Sequence, residues 1–244
     1  MQPELAEPLV DSLRNARHVC VLTGAGISAE SGVPTFREAQ TGLWEQYDPM
    51  ELATPEAFSR DPELVWRWYQ WRRELVAKAE PNAGHRALTE LGSLVPRLTL
   101  VTQNVDGMHQ RAGSRDVIEF HGNIFTDRCF ADGRIVESTA SGGVPTCPDC
   151  GAHLRPGVVW FGEAIPEEAL HAAFAAAGDC DVFLSVGTSS LVYPAAGLVD
   201  VAREAGAVTI EVNPSPTGQS DSCTASLRGN AGLVLPKLVE SLAH

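Results

Sequence analysis

The sequence predicts an α/β fold: a parallel sheet with helices on both faces, and a small domain formed by two insertions beside it. Three observations carry this reading. Short apolar runs rich in β-branched residues recur, nearly continuous rather than alternating, as in strands buried on both faces. Helical patterns lie between them, and that alternation implies a parallel sheet covered by helices. Two stretches, 38–80 and 124–156, break the rhythm.

The strand runs are HVCVLT (18–23), RLTLVT (97–102), DVIEF (116–120), GVVWF (157–161), DVFLSV (181–186) and AVTIEV (207–212). The helical patterns are ELAEPLVDSLRNA, ELVWRWYQWRRELVAKA, GHRALTELGSLV, PEEALHAAFAAAG and YPAAGLVDVAREAG. Residues 38–80 carry no strand pattern and hold four of the five tryptophans. Residues 124–156 are polar, glycine-rich and hold a cysteine cluster. The large domain is therefore expected over 1–37, 81–123 and 157–244, and the small one over 38–80 and 124–156.

The chain has 244 residues, 44% of them hydrophobic, enough for one large domain with a smaller one. Its formal net charge of −13 argues against nonspecific binding to nucleic acid or anionic membrane, both polyanions. The start, MQPELAEPLVDSL, has no basic segment followed by an apolar run, and no stretch approaches the roughly 20 apolar residues of a membrane span. A cytoplasmic protein is expected. The sequence does not speak to oligomeric state.

After the first strand comes TGAGISAESGVPTFR (23–37). Gly24, Gly26 and Ala29 fit the G-x-G-x-x-G/A pattern of dinucleotide-binding folds, where glycine lets backbone N–H groups approach a pyrophosphate. A dehydrogenase would place an acidic residue at the end of its second strand, about 20 residues on. That region, REAQTGLWEQYDPMEL, is not a strand, so hydride transfer is poorly supported. Other strand ends are polar. Gln103, Asn104, Val105 and Asp106 follow one, and His121 follows another. Gly187, Thr188 and Ser189 follow a third, and Asn213 a fourth. In open parallel sheets ligands sit beyond these carboxyl ends. His121 is the histidine set directly at a strand end, and its ordinary pKa suits a general base.

Six cysteines in a chain of this length without a secretion signal are not a disulfide framework. Cys20 and Cys180 lie in or beside apolar runs and are read as core. CPDCG (147–151) has the shape of a zinc knuckle, with Cys129 upstream. A fourth thiolate would fall at position 132, where Asp132 stands. Either Cys129, Cys147, Cys150 and this carboxylate hold a structural zinc, or the site is a metal-free loop.

GAGISAESGVPTFR, TQNVDGMHQRAG, EFHG, VVWFGE (158–163), GTSSLVYPAA (187–196) and EVN (211–213), in this order, resemble the sirtuins, NAD-dependent protein-lysine deacylases. The resemblance covers nearly the whole chain. It implies a Rossmann-like large domain and a small domain of a helical and a zinc-ribbon module. It implies that the Gly24–Arg37 loop, including Ala25, Thr35 and Phe36, cradles NAD, with Arg37 near the reacting end. Gln103, Asn104, Val105 and Asp106 would line the ribose and nicotinamide pocket, with Asn104 and Asp106 taking part in catalysis. His121 would be the base. Gly187, Thr188, Ser189 and Asn213 would hold the adenosine half, with Ala231 near the adenine. The backbone of Val159, Trp160, Phe161, Gly162 and Glu163 would pair with an extended substrate peptide. The implied reaction transfers the acyl group from lysine to ADP-ribose and releases nicotinamide.

The helix holding WYQWRRE (68–74) sets Tyr69 and Arg72 three residues apart, on one face. Without the family, such arginines are more simply read as laid over aromatic neighbours. In the class III branch, a Tyr-x-x-Arg pair here faces the acyl end of the substrate lysine, and Thr35 accompanies it. A succinyl or malonyl carboxylate would then bind Arg72 and Tyr69. Arg73, four residues from Tyr69, is the alternative reader. The competing functions are ADP-ribosyl transfer to protein, and non-catalytic sensing of NAD or ADP-ribose.

Overall fold

A computed structural model describes residues 6–33, 47–137 and 142–242. Thr35, Phe36 and Arg37 lie outside the described residues.

Six strands form one parallel sheet: β1 (Val19–Thr23), β2 (Leu98–Thr102), β3 (Ile118–Glu119), β7 (Val182–Val186), β8 (Val208–Asn213) and β9 (Ala225–Arg228), in the order β3–β2–β1–β7–β8–β9. Numbered within this sheet alone, the order is 3-2-1-4-5-6, the doubly wound arrangement of dinucleotide-binding folds. It reverses direction between β1 and β7, so a crevice is expected at their carboxyl ends.

The continuous apolar runs are explained by the two cores. On one face Val19 and Val21 pack with Leu13 of α1 (Glu7–Asn15), Leu88 and Leu91 of α6 (Ala83–Leu94), and Leu235 and Leu238 of α10 (Ala231–Leu242). On the other, Cys20, Leu22 and Phe183 pack with Ala173 and Ala177 of α8 (Glu167–Asp179) and Leu198 and Ala202 of α9 (Leu198–Glu204). Alternate residues of β1 thus serve opposite faces, and Cys20 and Cys180 are core residues as expected.

Two strand expectations change. The 157–161 run does not join the parallel sheet. Its strand is β6 (Leu154–Val158), which pairs antiparallel with β4 (Gly122–Cys129), itself antiparallel to β5 (Ile135–Val136). Apolarity alone does not tell which sheet a strand joins. The 116–120 run shortens to the two-residue β3 at the sheet edge, where Asp116 takes a positive φ of 51°. Strand β9 and helix α10 carry no signal used above. The positions 123 and 157, where insertion boundaries were expected, fall in β4 and at the end of β6.

Helices α3 (Pro49–Leu52), α4 (Pro55–Arg60) and α5 (Pro62–Lys78) precede α6. Thr54 and Asp61 cap α4 and α5, each followed by proline at the first helical position. A third core joins these helices to the antiparallel sheet: Phe58, Val65, Trp68 and Tyr69 pack with Ile124, Val158 and Trp160. No described helix is long and apolar enough to cross a membrane.

Candidate active site

The crevice at the sheet's reversal is closed by glycines. The Gly26 N–H donates to the Gly187 carbonyl at 2.8 Å, and Gly24 N–H to Val186 at 2.9 Å. A Cβ on Gly24 would come within 2.8 Å of the Thr188 backbone, and one on Gly26 within 2.7 Å of the Gly187 carbonyl. Gly187 has φ +60° and a Cβ there would meet Ile27 nitrogen at 2.5 Å. These glycines therefore serve the contact between the loops after β1 and β7, before any ligand is considered. Ala25 and Ala29 begin and end the short helix α2 (Ala25–Ala29).

Around this crossing the predicted polar residues converge. The Gln103 side chain donates to Thr188 Oγ1 at 3.1 Å, and Asn213 donates to the Thr188 carbonyl at 2.8 Å. Ser189 and Asn213 line a cleft of about 380 Å³ with Ser215 and Thr217. Ala231, buried at the start of α10, lies against Gly84. Val105 accepts through its carbonyl from Ile124 N–H at 2.8 Å, tying the strand-end loop to β4.

Asn104 gives its two amide hydrogens to the Gly24 carbonyl at 3.0 Å and Ser28 Oγ at 3.1 Å. Asp106 accepts from Ser28 Oγ–H at 2.7 Å and Met108 N–H at 2.9 Å. His85 accepts the Asn82 N–H on Nδ1, so its proton is on Nε2, 3.4 Å from Ser28 Oγ. Its relay runs one way: His85 to Ser28 to Asp106. A second relay runs from His109 Nε2–H to Thr23 Oγ1 at 2.9 Å and on to Thr102 Oγ1 at 2.8 Å, which also accepts the Asn104 N–H. The two imidazole centroids lie 4.9 Å apart, with the rings tilted by 58°. Burial depresses both, His85 to about 4 against the pull of Asp106, and His109 to about 3 with help from His85. Both are neutral at physiological pH. Sequence reading missed Ser28, His85 and His109 as supports. His109 stood inside a quoted motif, but only the fold shows that it faces Thr23.

His121 sits between β3 and β4. Its Nδ1 lies 3.0 Å from the Gln103 carbonyl. A carbonyl only accepts, so Nδ1 carries the proton and Nε2 keeps the basic lone pair. The His121 carbonyl accepts from Val159 N–H at 2.8 Å. Burial lowers the imidazole pKa, partly offset by the Gln103 bond.

Helix α5 places its two adjacent arginines in different surroundings. Arg73 is fixed to β4: its guanidinium donates to the Ile124 carbonyl at 2.5 Å, to Thr126 at 3.1 Å and to Asp127 at 2.6 Å. Arg72 lies 5.1 Å over the Trp68 ring; burial lowers its pKa, partly offset by the charge of Asp106. The Tyr69 hydroxyl accepts from Trp160 Nε1–H at 2.9 Å, and burial raises its pKa to about 12. In the segment after β6, Trp160 N–H goes to Glu163, Phe161 N–H to the Ala53 carbonyl, and Glu163 N–H to the Trp160 carbonyl. Phe161 and Gly162 are exposed.

The sulfurs of Cys129, Cys147 and Cys150 lie within 4.8 Å of one another, with Cys129 and Cys150 3.5 Å apart. Zinc–thiolate bonds near 2.3 Å set tetrahedral sulfurs about 3.8 Å apart, so this set fits the ion. Asp132 adjoins Cys129, but its carboxylate accepts from Arg134 N–H at 3.0 Å and Arg134 Nε–H at 2.7 Å. Arg134 also reaches Asp149 at 3.2 Å. Asp132 is thus paired with an arginine, not gathered with the three thiols.

Comparison with known proteins shows which family the chain belongs to. An NAD-dependent protein deacylase of Methylococcus capsulatus is 50% identical over 98% of both chains. A solved Sir2 homologue in complex with NAD superposes with a TM-score of 0.91 at 43% identity, covering 99% of this chain and 95% of that one. A Sir2 bound to acetylated peptide superposes at 0.84 and 30% identity, covering 97% and 98%. The Sir2 family pattern matches residues 24–194, so the protein belongs to the Sir2 family.

Proposed function

We propose that the protein is an NAD-dependent protein-lysine deacylase that prefers acyl groups ending in a carboxylate. The observation that carries the enzymatic reading is His121, held through Nδ1 with its basic Nε2 left over, beside Asn104, Asp106 and the glycine crossing. The close relatives named as deacylases support it. When bound, NAD supplies an electrophilic ribose carbon, gives up nicotinamide and accepts the acyl group.

The chain's own residues have separable tasks. The Gly24–Ala29 turn and the Gly187–Ser189 loop hold the cofactor across the sheet's reversal, with Asn213 and Ala231 at its adenosine end. His121 Nε2 takes a proton from a ribose hydroxyl. Asn104 and Asp106 line the ribose and nicotinamide pocket, and each is fixed from behind by Ser28. An extended peptide pairs with the backbone after β6. Four N–H groups of Val159–Glu163 already have partners within the protein. Cys129, Cys147 and Cys150 would hold zinc in a structural role. The helices α3–α5 and the antiparallel sheet form the small domain of the reading above.

The acyl preference rests on Tyr69 and Arg72. Tyr69 is a protonated donor at neutral pH, and Arg72 lies where the charge of Asp106 is felt. Arg73 is committed to β4, so Arg72 is the reader. Protein is incubated with NAD and matched acetyl-, malonyl- and succinyl-lysine peptides, and products are identified by mass spectrometry. Nicotinamide, free lysine and acyl-ADP-ribose are expected, fastest with the acidic acyl groups. ADP-ribose on protein without deacylated peptide would indicate the transferase instead, and no nicotinamide at all would indicate a sensor.

A further inference from the structure

Arg155, in β6, is 2% exposed, a charge taken out of water. Its guanidinium lies 3.5 Å from the centre of the Trp160 ring and donates to both Glu163 oxygens, at 2.5 and 2.8 Å. It also donates to the Val158 carbonyl at 2.6 Å. Glu163 accepts the Trp160 N–H at 2.8 Å. The indole is therefore held by its face and by its backbone. Its edge then gives Nε1–H to the Tyr69 hydroxyl at 2.9 Å. An indole N–H can only donate. Tyr69 must accept that bond, so its own hydrogen points to another acceptor.

We propose that Arg155 and Trp160 are positioning residues for acyl selection: they fix the Tyr69 hydroxyl as a donor toward the acyl carboxylate. This rests on the reading that Tyr69 and Arg72 face the acyl group. Arginine suits the task because its planar fork both stacks on the ring and grips a carboxylate with two bonds. With Arg155 buried, that pair tolerates little displacement, since the buried charge left alone is costly.

The test is kcat/KM for succinyl- and acetyl-lysine peptides in the wild type, Trp160→Phe, Tyr69→Phe, the double variant, Arg155→Lys and Arg72→Met, with thermal midpoints measured alongside. Trp160→Phe keeps an aromatic ring and loses the donor. The succinyl-to-acetyl ratio is expected to fall ~3- to 10-fold, the size of one neutral hydrogen bond. In the Tyr69→Phe background the same change should leave the ratio where Tyr69→Phe put it, because both remove one interaction. Arg155→Lys keeps the charge without the planar stack and should lower the ratio likewise. Equal losses on both peptides, or a Trp160→Phe effect that persists undiminished without the Tyr69 hydroxyl, would overturn the proposal. If Tyr69→Phe and Arg72→Met change the ratio while Trp160→Phe does not, the positioning alone fails. If none of them changes it, the acyl reading fails too.

Discussion

His121 shows how one hydrogen bond fixes a tautomer. The Gln103 carbonyl claims the Nδ1 proton, so the nitrogen left over is a base without needing a second residue to set its tautomer. Replacing His121 by Ala should lower deacylation roughly 10²-fold or more, the scale of losing a general base, with NAD affinity nearly unchanged by calorimetry. Full activity in that variant would remove His121 from the mechanism. The pH profile gives an independent check. Burial pushes its pKa below the ordinary imidazole value, so the base is neutral and competent at pH 7. Activity should fall with an acidic limb below pH ~6.5. An acidic limb centred at or above ~6.5 would contradict the burial seen here. His121 was legible in the sequence because it stands at a strand end. Ser28, which holds Asp106 and Asn104, and His85, which bonds Ser28, were not, because each contact joins segments distant in the chain.

At the scale of elements, α5 answers why a helix carries adjacent arginines among tryptophans. The two occupy different surroundings: Arg73 ties α5 to β4, and Arg72 lies over the Trp68 ring. Spacing showed that both could share Tyr69's face but could not rank them, since rank depends on where β4 runs. Arg72→Met should cut succinyl-peptide efficiency by roughly 10- to 100-fold, the loss of one charged bond, and scarcely affect acetyl peptide. Arg73→Met should instead cost about 3 kcal/mol or more of stability by stranding Asp127, which is only 11% exposed in its side chain. Denaturant midpoints and acyl selectivity, measured on both variants, separate the two. Selectivity lost in Arg73→Met with stability intact would reverse the assignment. The cysteine element invites a parallel check. Asp132 is engaged by Arg134, so zinc held by three thiolates should be removable by chelator. Asp132→Cys would complete a four-thiolate set and should slow zinc loss measurably in a chromogenic chelator assay. Purified protein lacking metal in both forms would favour the metal-free loop.

For the whole molecule, the sequence reading reached the parallel sheet and its helices, since strands buried on both faces advertise themselves by continuous apolarity. It misassigned the 157–161 run, because apolarity does not distinguish a parallel core strand from an antiparallel one. It also did not foresee that the site is braced by two neutral histidines beneath the sheet's reversal. That bracing has a global consequence. His85 and His109 are neutral in the fold, depressed by burial to about 4 and about 3, whereas an unfolded chain protonates them near 6.5. Below pH 6.5 the unfolded state therefore binds more protons, and stability must fall as pH falls. Each histidine contributes a slope of up to ~1.4 kcal/mol per pH unit while the pH lies between its two pKa values. Carboxylates held low in the fold, such as Glu211 with its bonds from Ser220, Thr217 and Arg228, add to acid sensitivity only near their unfolded pKa of about 4.3. Between pH 6.5 and 5 the histidines therefore dominate. Denaturant unfolding at pH 7.5, 6.0 and 5.0 should show the loss, and a His109→Gln variant should show a shallower slope over the same interval. Gln keeps a donor for Thr23 but cannot be protonated, so lower stability at pH 7.5 with less further loss at pH 5.0 is the signature. An unchanged slope in His109→Gln would mean that this histidine is not held neutral by the fold.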